Sequence, residues 1–178
     1  MIVEETKLKD CLIIKPSVFS DDRGFFLETF NRKRYSEIAG IDHDFLQENH
    51  SRSIKGVLRG LHFQKTKPQG KLVRVVKGLV FDVAVDLRKN SPSYGNWLSL
   101  ELSEDNKNQL WIPPGFAHGF QVLSDTADFE YMCTDYYDPD DEGSLAWNDE
   151  HLKINWPIIP PILSSKDKMA SSFTNLDL

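Results

Sequence analysis

Leu79-Val-Phe-Asp-Val-Ala-Val-Asp-Leu87 is the stretch that decides the architecture. Leu79, Phe81, Val83, Val85 and Leu87 recur at every second position, with Asp82, Ala84 and Asp86 facing the other way. A period of two places each set on one face of a β-strand, and the branched and aromatic side chains suit a pleated surface. Moving outward, short apolar runs punctuated by glycine, proline and asparagine lie at 70–77, 56–63, 44–50, 25–30 and 10–15 on one side. On the other side they lie at 95–102, 108–113, 117–124 and 127–135. Short strands separated by turn signals predict an all-β sandwich or barrel rather than strand–helix–strand units.

One helix is predicted before residue 41. Asn31 can cap it, Tyr35, Ile38 and Ala39 share a face, and Gly40 can end it. Beyond the last strand the chain changes character: Trp147, Trp156, Pro157, Pro160 and Pro161 fall in short pieces expected to wrap the sheet. Residues 1–178 are therefore read as one domain, wrapping segment included. The first strands can pair within the chain or with a second subunit, because exposed sheet edges must be covered.

A chain of 178 residues with 40% hydrophobic and 27% charged residues is suited to a folded globular protein. Its net charge of −6 disfavours nucleic acid and anionic membranes as partners. A phosphate on a ligand must then be met by a local cluster of arginine and lysine. Cys11 and Cys133 lack metal-type spacing and are too few for a disulfide framework, so they read as free thiols of a reducing cytoplasm. The start, Met-Ile-Val-Glu-Glu, carries no secretory pattern, and no run of about 18 apolar residues is present to span a bilayer.

The polar residues that a packing strand does not need are concentrated around Gly56-Val-Leu-Arg-Gly-Leu-His-Phe-Gln64. Arg59 and His62 lie in that run, with Gln47-Glu-Asn49 upstream and Gln69-Gly-Lys71 downstream. Such a set suits a pocket that grips an anion and moves a proton. Arg23, at the turn Asp22-Arg23-Gly24, and Arg59 can hold phosphate with a planar fork of donors. Arg59, among Val57, Leu58 and Leu61, is expected to be partly buried and to have an anionic partner. Arg59 and His62 are three apart and should face opposite ways, so a bulge is expected at Gly60. Tyr131, alternating with Phe129 and Cys133, can donate a proton opposite a histidine base if its hydroxyl reaches the pocket. Asp167, in Ser164-Ser-Lys-Asp167, can fix the tautomer of His62 if it reaches that far back.

Pro113-Pro-Gly-Phe-Ala-His118 resembles the second motif of the cupin superfamily, small jelly-roll barrels that often hold a metal. The metal-binding pattern has His-x-His in its first motif, and here Gln64 stands at the second histidine position. No metal is therefore expected, and His118 is read as a substrate contact.

The chain as a whole resembles the dTDP-4-dehydrorhamnose 3,5-epimerase family. The resemblance rests on DDRGFFLETF (21–30), QENHSRS (47–53), KGVLRGLHFQ (55–64), QGKLVRVVKGLVFDVAVDLRKNSPSYG (69–95), NQLWIPPGFAHGF (108–120), YYDPDDEGSLAWND (136–149), INWP (154–157) and SSKD (164–167). It implies a cupin jelly roll, a homodimer with exchanged N-terminal strands, and no metal or redox cofactor. It also implies a dTDP-linked 4-keto-6-deoxyhexose as substrate, converted to its L-configured partner on the way to L-rhamnose.

By position, the resemblance makes His62 the base, Tyr131 the acid and Asp167 the partner of the base, with Tyr137 a second active-site tyrosine. Arg23, Glu28, Gln47, Asn49, Arg59, Lys71, His118, Glu142 and Lys166 align with substrate-binding positions. The chemistry of the residues adds Lys71 and His118 as donors to an enolate oxygen. It also adds Phe26 as an aromatic that can face a thymine ring. Three alternatives remain: an epimerase acting at one carbon or on another nucleotide-linked ketosugar, a ketoisomerase that moves the carbonyl, and a jelly roll that binds such sugars without turning them over. A metal-dependent cupin oxygenase is disfavoured by Gln64.

Overall fold

The computed structural model describes residues 1–177; the final residue of the expected domain, Leu178, lies outside the described residues. Its strands are β1 (Ile2–Glu5), β2 (Leu12–Lys15), β3 (Val18–Asp21), β4 (Gly24–Leu27), β5 (Gln47–Ile54), β6 (Leu58–Gln64) and β7 (Lys71–Lys77). They continue as β8 (Leu79–Asp86), β9 (Trp97–Ser103), β10 (Gln109–Ile112), β11 (Phe116–Val122), β12 (Thr126–Cys133) and β13 (Glu142–Ser144). Helix α1 spans Arg32–Ala39 and the single turn α2 spans Ser165–Lys168.

Two antiparallel sheets face each other in a jelly-roll sandwich, the fold class expected. One runs β1-β2-β10-β7-β12-β5 and the other β13-β6-β11-β8-β9. The space between them is filled from both sides: Val73, Leu110, Ala127 and Phe129 from the first sheet meet Val80, Ala84, Leu98, Leu102 and Phe120 from the second. Burying each such aliphatic or aromatic side chain contributes about 1.5–3 kcal/mol.

The alternation in β8 sorts its faces in an unexpected way. Val83, Val85 and Leu87 pack outward, against Leu145, Leu152, Ile154 and Trp156 of the wrapping C-terminal segment. The other face, carrying Val80, Asp82 and Ala84, turns into the sandwich, where Asp82 is 0% exposed. Trp97 Nε1 donates to Leu152 O at 2.8 Å and Trp156 Nε1 to Trp147 O at 2.7 Å, which ties the wrap down.

Helix α1 forms as read: the Asn31 side chain accepts from Arg34 N, and Gly40 ends the helix at φ 65°. Only Tyr35 of the expected apolar face is buried, however, and Ile38 is 54% exposed. This short helix lays one narrow strip over the first sheet, where Tyr35 meets Ile14, Leu72 and Trp111. Three strands escaped the sequence reading, β1, β3 and β13, each four residues or fewer.

The N-terminal strands divide into two groups. β1 pairs with β2, and β2 pairs with β10, within this chain. Among the described residues, the hairpin β3–β4 pairs only with itself, and it exposes Phe19, Phe25 and Phe26. Among the described residues, no helix is long and apolar enough to cross a membrane.

Candidate active site

β6 bends where Gly60 allows it. Its pairing with β11 shifts register between His118 and Phe120, opposite Gly60, which adopts φ 122°. A Cβ on Gly60 would meet Gly119 Cα at 2.6 Å and His118 O at 2.7 Å, so only glycine fits. The irregularity turns Arg59 and His62 toward the same cavity, of about 400 Å³.

That cavity adjoins a second, of about 260 Å³, and both are lined by His62, Lys71, Tyr131 and Lys166. The first also takes in Arg59, His118, Phe129 and Asp167. The second adds Gln47, Asn49, Tyr137 and Glu142. Three sequence candidates fall outside both. Arg23 is exposed on the β3–β4 hairpin and paired with Asp21, Phe26 is 68% exposed on the same hairpin, and Glu28 is bound to Asn31 and Arg34.

His62 Nε2 lies 2.6 Å from Asp167 Oδ1, although 105 positions separate the two residues. The single turn α2 carries the aspartate, capped by Ser164 at its start. An ionised carboxylate only accepts, so Nε2 holds the proton and Nδ1 keeps the lone pair that a general base needs. Burial works to raise the titration of Asp167, but the bonds from His62 and Ser164 outweigh it and hold the carboxyl below the usual aspartate range.

Tyr131 reaches the cavities from the opposite sheet, on β12. Its hydroxyl has no hydrogen-bond partner among the described residues, and burial raises its titration, which keeps the proton on the phenol. Tyr137 is placed differently. It is half exposed, its hydroxyl donates to Glu142 Oε2 at 2.5 Å, and that bond is the main reason its titration is pushed up to about 12. Glu142 also meets the Lys166 ammonium. Burial alone would raise this carboxyl, but Lys166 and Tyr137 outweigh it and lower it.

Lys71 lines both cavities, and burial lowers its titration. Its ammonium has no hydrogen bond or ion pair among the described residues, so it is free to meet an oxygen of a ligand. His118 is more constrained than its motif suggests. Its Nε2 lies 2.9 and 3.1 Å from the two Asp82 oxygens, and its ring stacks on Phe129. With Nε2–H given to Asp82, His118 can donate to a ligand only through a protonated Nδ1.

The expectation of a partly buried, ion-paired Arg59 is corrected. Arg59 is exposed and its Nε donates to neutral Ser53 Oγ at 2.9 Å. It has no ion pair among the described residues, and alternation with Leu58, which packs in the outer apolar cluster, turns it to the open cavity instead. An unpaired guanidinium at a cavity mouth suits an anionic ligand better than a salt bridge would.

Sequence reasoning missed Asp82 and Ser164. For Asp82 the signal was a carboxylate in a largely apolar strand, shared with Asp86, which does not by itself single it out. For Ser164 it was a serine three residues ahead of an aspartate, the spacing of a helix cap. Among the described residues, no group of three or more His, Cys, Asp or Glu side chains is arranged to hold a metal.

Residues 5–175 match the family model described as dTDP-4-dehydrorhamnose 3,5-epimerase. The chain is 55% identical over 172 residues to the Salmonella typhimurium protein of that name, covering 96% of this chain and 94% of the relative. It is 55% identical over 170 residues to the Escherichia coli protein of that name, covering 94% and 92%. Among solved structures it is similar to dTDP-6-deoxy-D-glucose-3,5-epimerase from Legionella pneumophila in complex with dTDP-4-keto-L-rhamnose. That match has a TM-score of 0.96 and 51% identity, and covers 99% of this chain and 94% of that one.

Proposed function

We propose that this chain, which belongs to the dTDP-4-dehydrorhamnose 3,5-epimerase family, inverts C3 and C5 of dTDP-4-dehydro-6-deoxy-D-glucose on the route to dTDP-L-rhamnose. The observation that carries the reading is the pair of groups lining both cavities from opposite sheets: an imidazole held by a carboxylate, and a protonated phenol.

The chemistry follows from one ketone. Hydrogens on the carbons beside C4 are acidic because the anion left behind delocalises onto the C4 oxygen. A single base can therefore act at C3 and at C5 in turn. His62 Nδ1 takes the proton, and Asp167 stabilises the imidazolium that forms. The Lys71 ammonium stands ready to steady the enolate oxygen, as does His118 once protonated. Tyr131 returns a proton to the face opposite the base, which inverts the carbon. No electron leaves the substrate, so the reaction as written calls for no redox cofactor.

Between the two tyrosines, the free hydroxyl of Tyr131 favours it as the acid. Tyr137, donating to Glu142, is better suited to bordering the site. Arg59 is assigned to the diphosphate, with Gln47, Asn49, Glu142 and Lys166 around the sugar and nucleotide.

Arg23, Phe26 and Glu28 are assigned to the ligand through a homodimer, in which the β3–β4 hairpin of one protomer reaches the cavity of its partner. Support comes from the aromatic residues the hairpin exposes and from its pairing with no other strand among the described residues. Cytoplasmic residence agrees with the free thiols of Cys11 and Cys133. The test is His62→Ala: exchange of the sugar's C3 and C5 hydrogens with solvent should stop while dTDP still binds. Exchange that persists would remove His62 as the base.

A further inference from the structure

The two oxygens of Asp167 are used separately. Oδ1 faces His62 Nε2 at 2.6 Å, and Oδ2 accepts the Ser164 hydroxyl at 2.7 Å. The same Ser164 Oγ accepts Asp167 N–H at 3.1 Å, so serine and aspartate are joined by two hydrogen bonds. The segment ahead of them is anchored on the strand that carries His62. Ile162 N donates to Gly56 O at 2.9 Å, and Leu58 N donates to Ile162 O at 3.0 Å. The aspartate thus arrives at the imidazole on a strap fixed to β6 itself, and Ser164 is the last residue before the turn.

We propose that Ser164 is a positioning residue for the proton-abstracting dyad, holding Oδ2 so that Oδ1 stays aimed at His62. This rests on the reading of His62 as the base. Rotation about the Cβ–Cγ bond of an aspartate has a broad, two-fold profile. A carboxylate bonded only through Oδ1 can therefore turn and weaken its hold on the imidazole, whereas a second bond to Oδ2 stops the rotation.

The charged groups facing Asp167 are His62 from β6 and Lys166 from its own turn, with Glu142 of β13 beyond Lys166. Ser164 is the neutral donor in this group. Removing its hydroxyl leaves every charge in place but frees the carboxylate to turn.

In Ser164→Ala, kcat should fall about tenfold, the loss expected for one hydrogen bond to a charged group. KM should stay within about twofold, because the residue acts through Asp167 and not on the substrate. Ser164→Thr should restore most of the rate. Asp167→Asn alone should cost more, and adding Ser164→Ala to it should cost nothing further. That last comparison separates positioning from a fold loosened by loss of a helix cap, which would lower the rate on either background.

Wild-type kcat in Ser164→Ala would overturn the assignment, as would a rise in KM alone or an equal loss added to Asp167→Asn. Asp167→Asn that itself keeps the wild-type rate would overturn the dyad reading, and this assignment with it.

Discussion

His62 and Tyr131 stand on different sheets, β6 and β12, yet line the same two adjoining cavities. A sandwich that brings one imidazole and one phenol to a shared space from opposite walls can address both faces of a flat ligand. Inversion at carbon needs that arrangement, because the proton must leave on one side and return on the other.

Tyr131→Phe should therefore lose at least about 100-fold in epimerisation, the lower range for a general acid, while still binding dTDP. Tyr137→Phe should keep the chemical step and weaken binding. Rates and KM for the two variants decide between them. The opposite pattern would exchange their roles.

The free ammonium of Lys71 gives a separate expectation. Lys71→Met should lower kcat about 100- to 1000-fold with modest change in KM, the signature of losing a donor to an oxyanion. A variant in which only KM rises would make Lys71 a ground-state contact.

The unpaired guanidinium of Arg59 is tested by binding. Arg59→Ala should weaken dTDP affinity about 10- to 100-fold, as expected for lost hydrogen bonds between charged groups. The reading predicts less effect on thymidine, which lacks the diphosphate. Equal loss for both ligands in calorimetry would take Arg59 out of the anion grip.

Asp86 offers a test of acid stability away from the site. Buried at 0% exposure, it is held by Arg88 and by the hydroxyls of Ser91 and Ser93 at 2.5 and 2.6 Å. Burial works to raise its titration, but these bonds outweigh it and lower it from 3.8. A carboxyl depressed in the folded state contributes its stability fully above the unfolded value, and that contribution is lost as the pH falls through the folded value. Asp86→Asn should cost about 3 kcal/mol at neutral pH, with the gap to wild type narrowing below pH 4 (~the unfolded aspartate value). Denaturant melts across that range check it, and a constant gap would contradict it.

The longer strands were legible because a period of two is imposed by the backbone, and it survives even in β8, where both faces are buried; β1, β3 and β13 are too short to show it. The inward direction of Asp82 was not legible. A carboxylate on an alternating strand reads as the wet face, and only the packing of Leu152, Ile154 and Trp156 on the other side shows otherwise. The bend at Gly60 could be anticipated, since Arg59 and His62 cannot share a face without it. The exposure of Arg59 could not, because it depends on the face opposite Leu58 opening on a cavity rather than on packed side chains. Contact between His62 and Asp167 is set by the path of the C-terminal strap, which no local pattern encodes. The position of Arg23, Phe26 and Glu28 outside the cavity follows from a hairpin whose partner, in the proposed assembly, belongs to another protomer.

Incubating the enzyme with dTDP-4-dehydro-6-deoxy-D-glucose in deuterated water, then locating the label by NMR, tests the central claim most directly. One base and one acid flanking a ring activated at C4 predict deuterium at both C3 and C5, and loss of both signals in His62→Ala. Label at a single carbon would contradict double inversion, and a bound sugar that takes up no label would contradict catalysis by this site altogether.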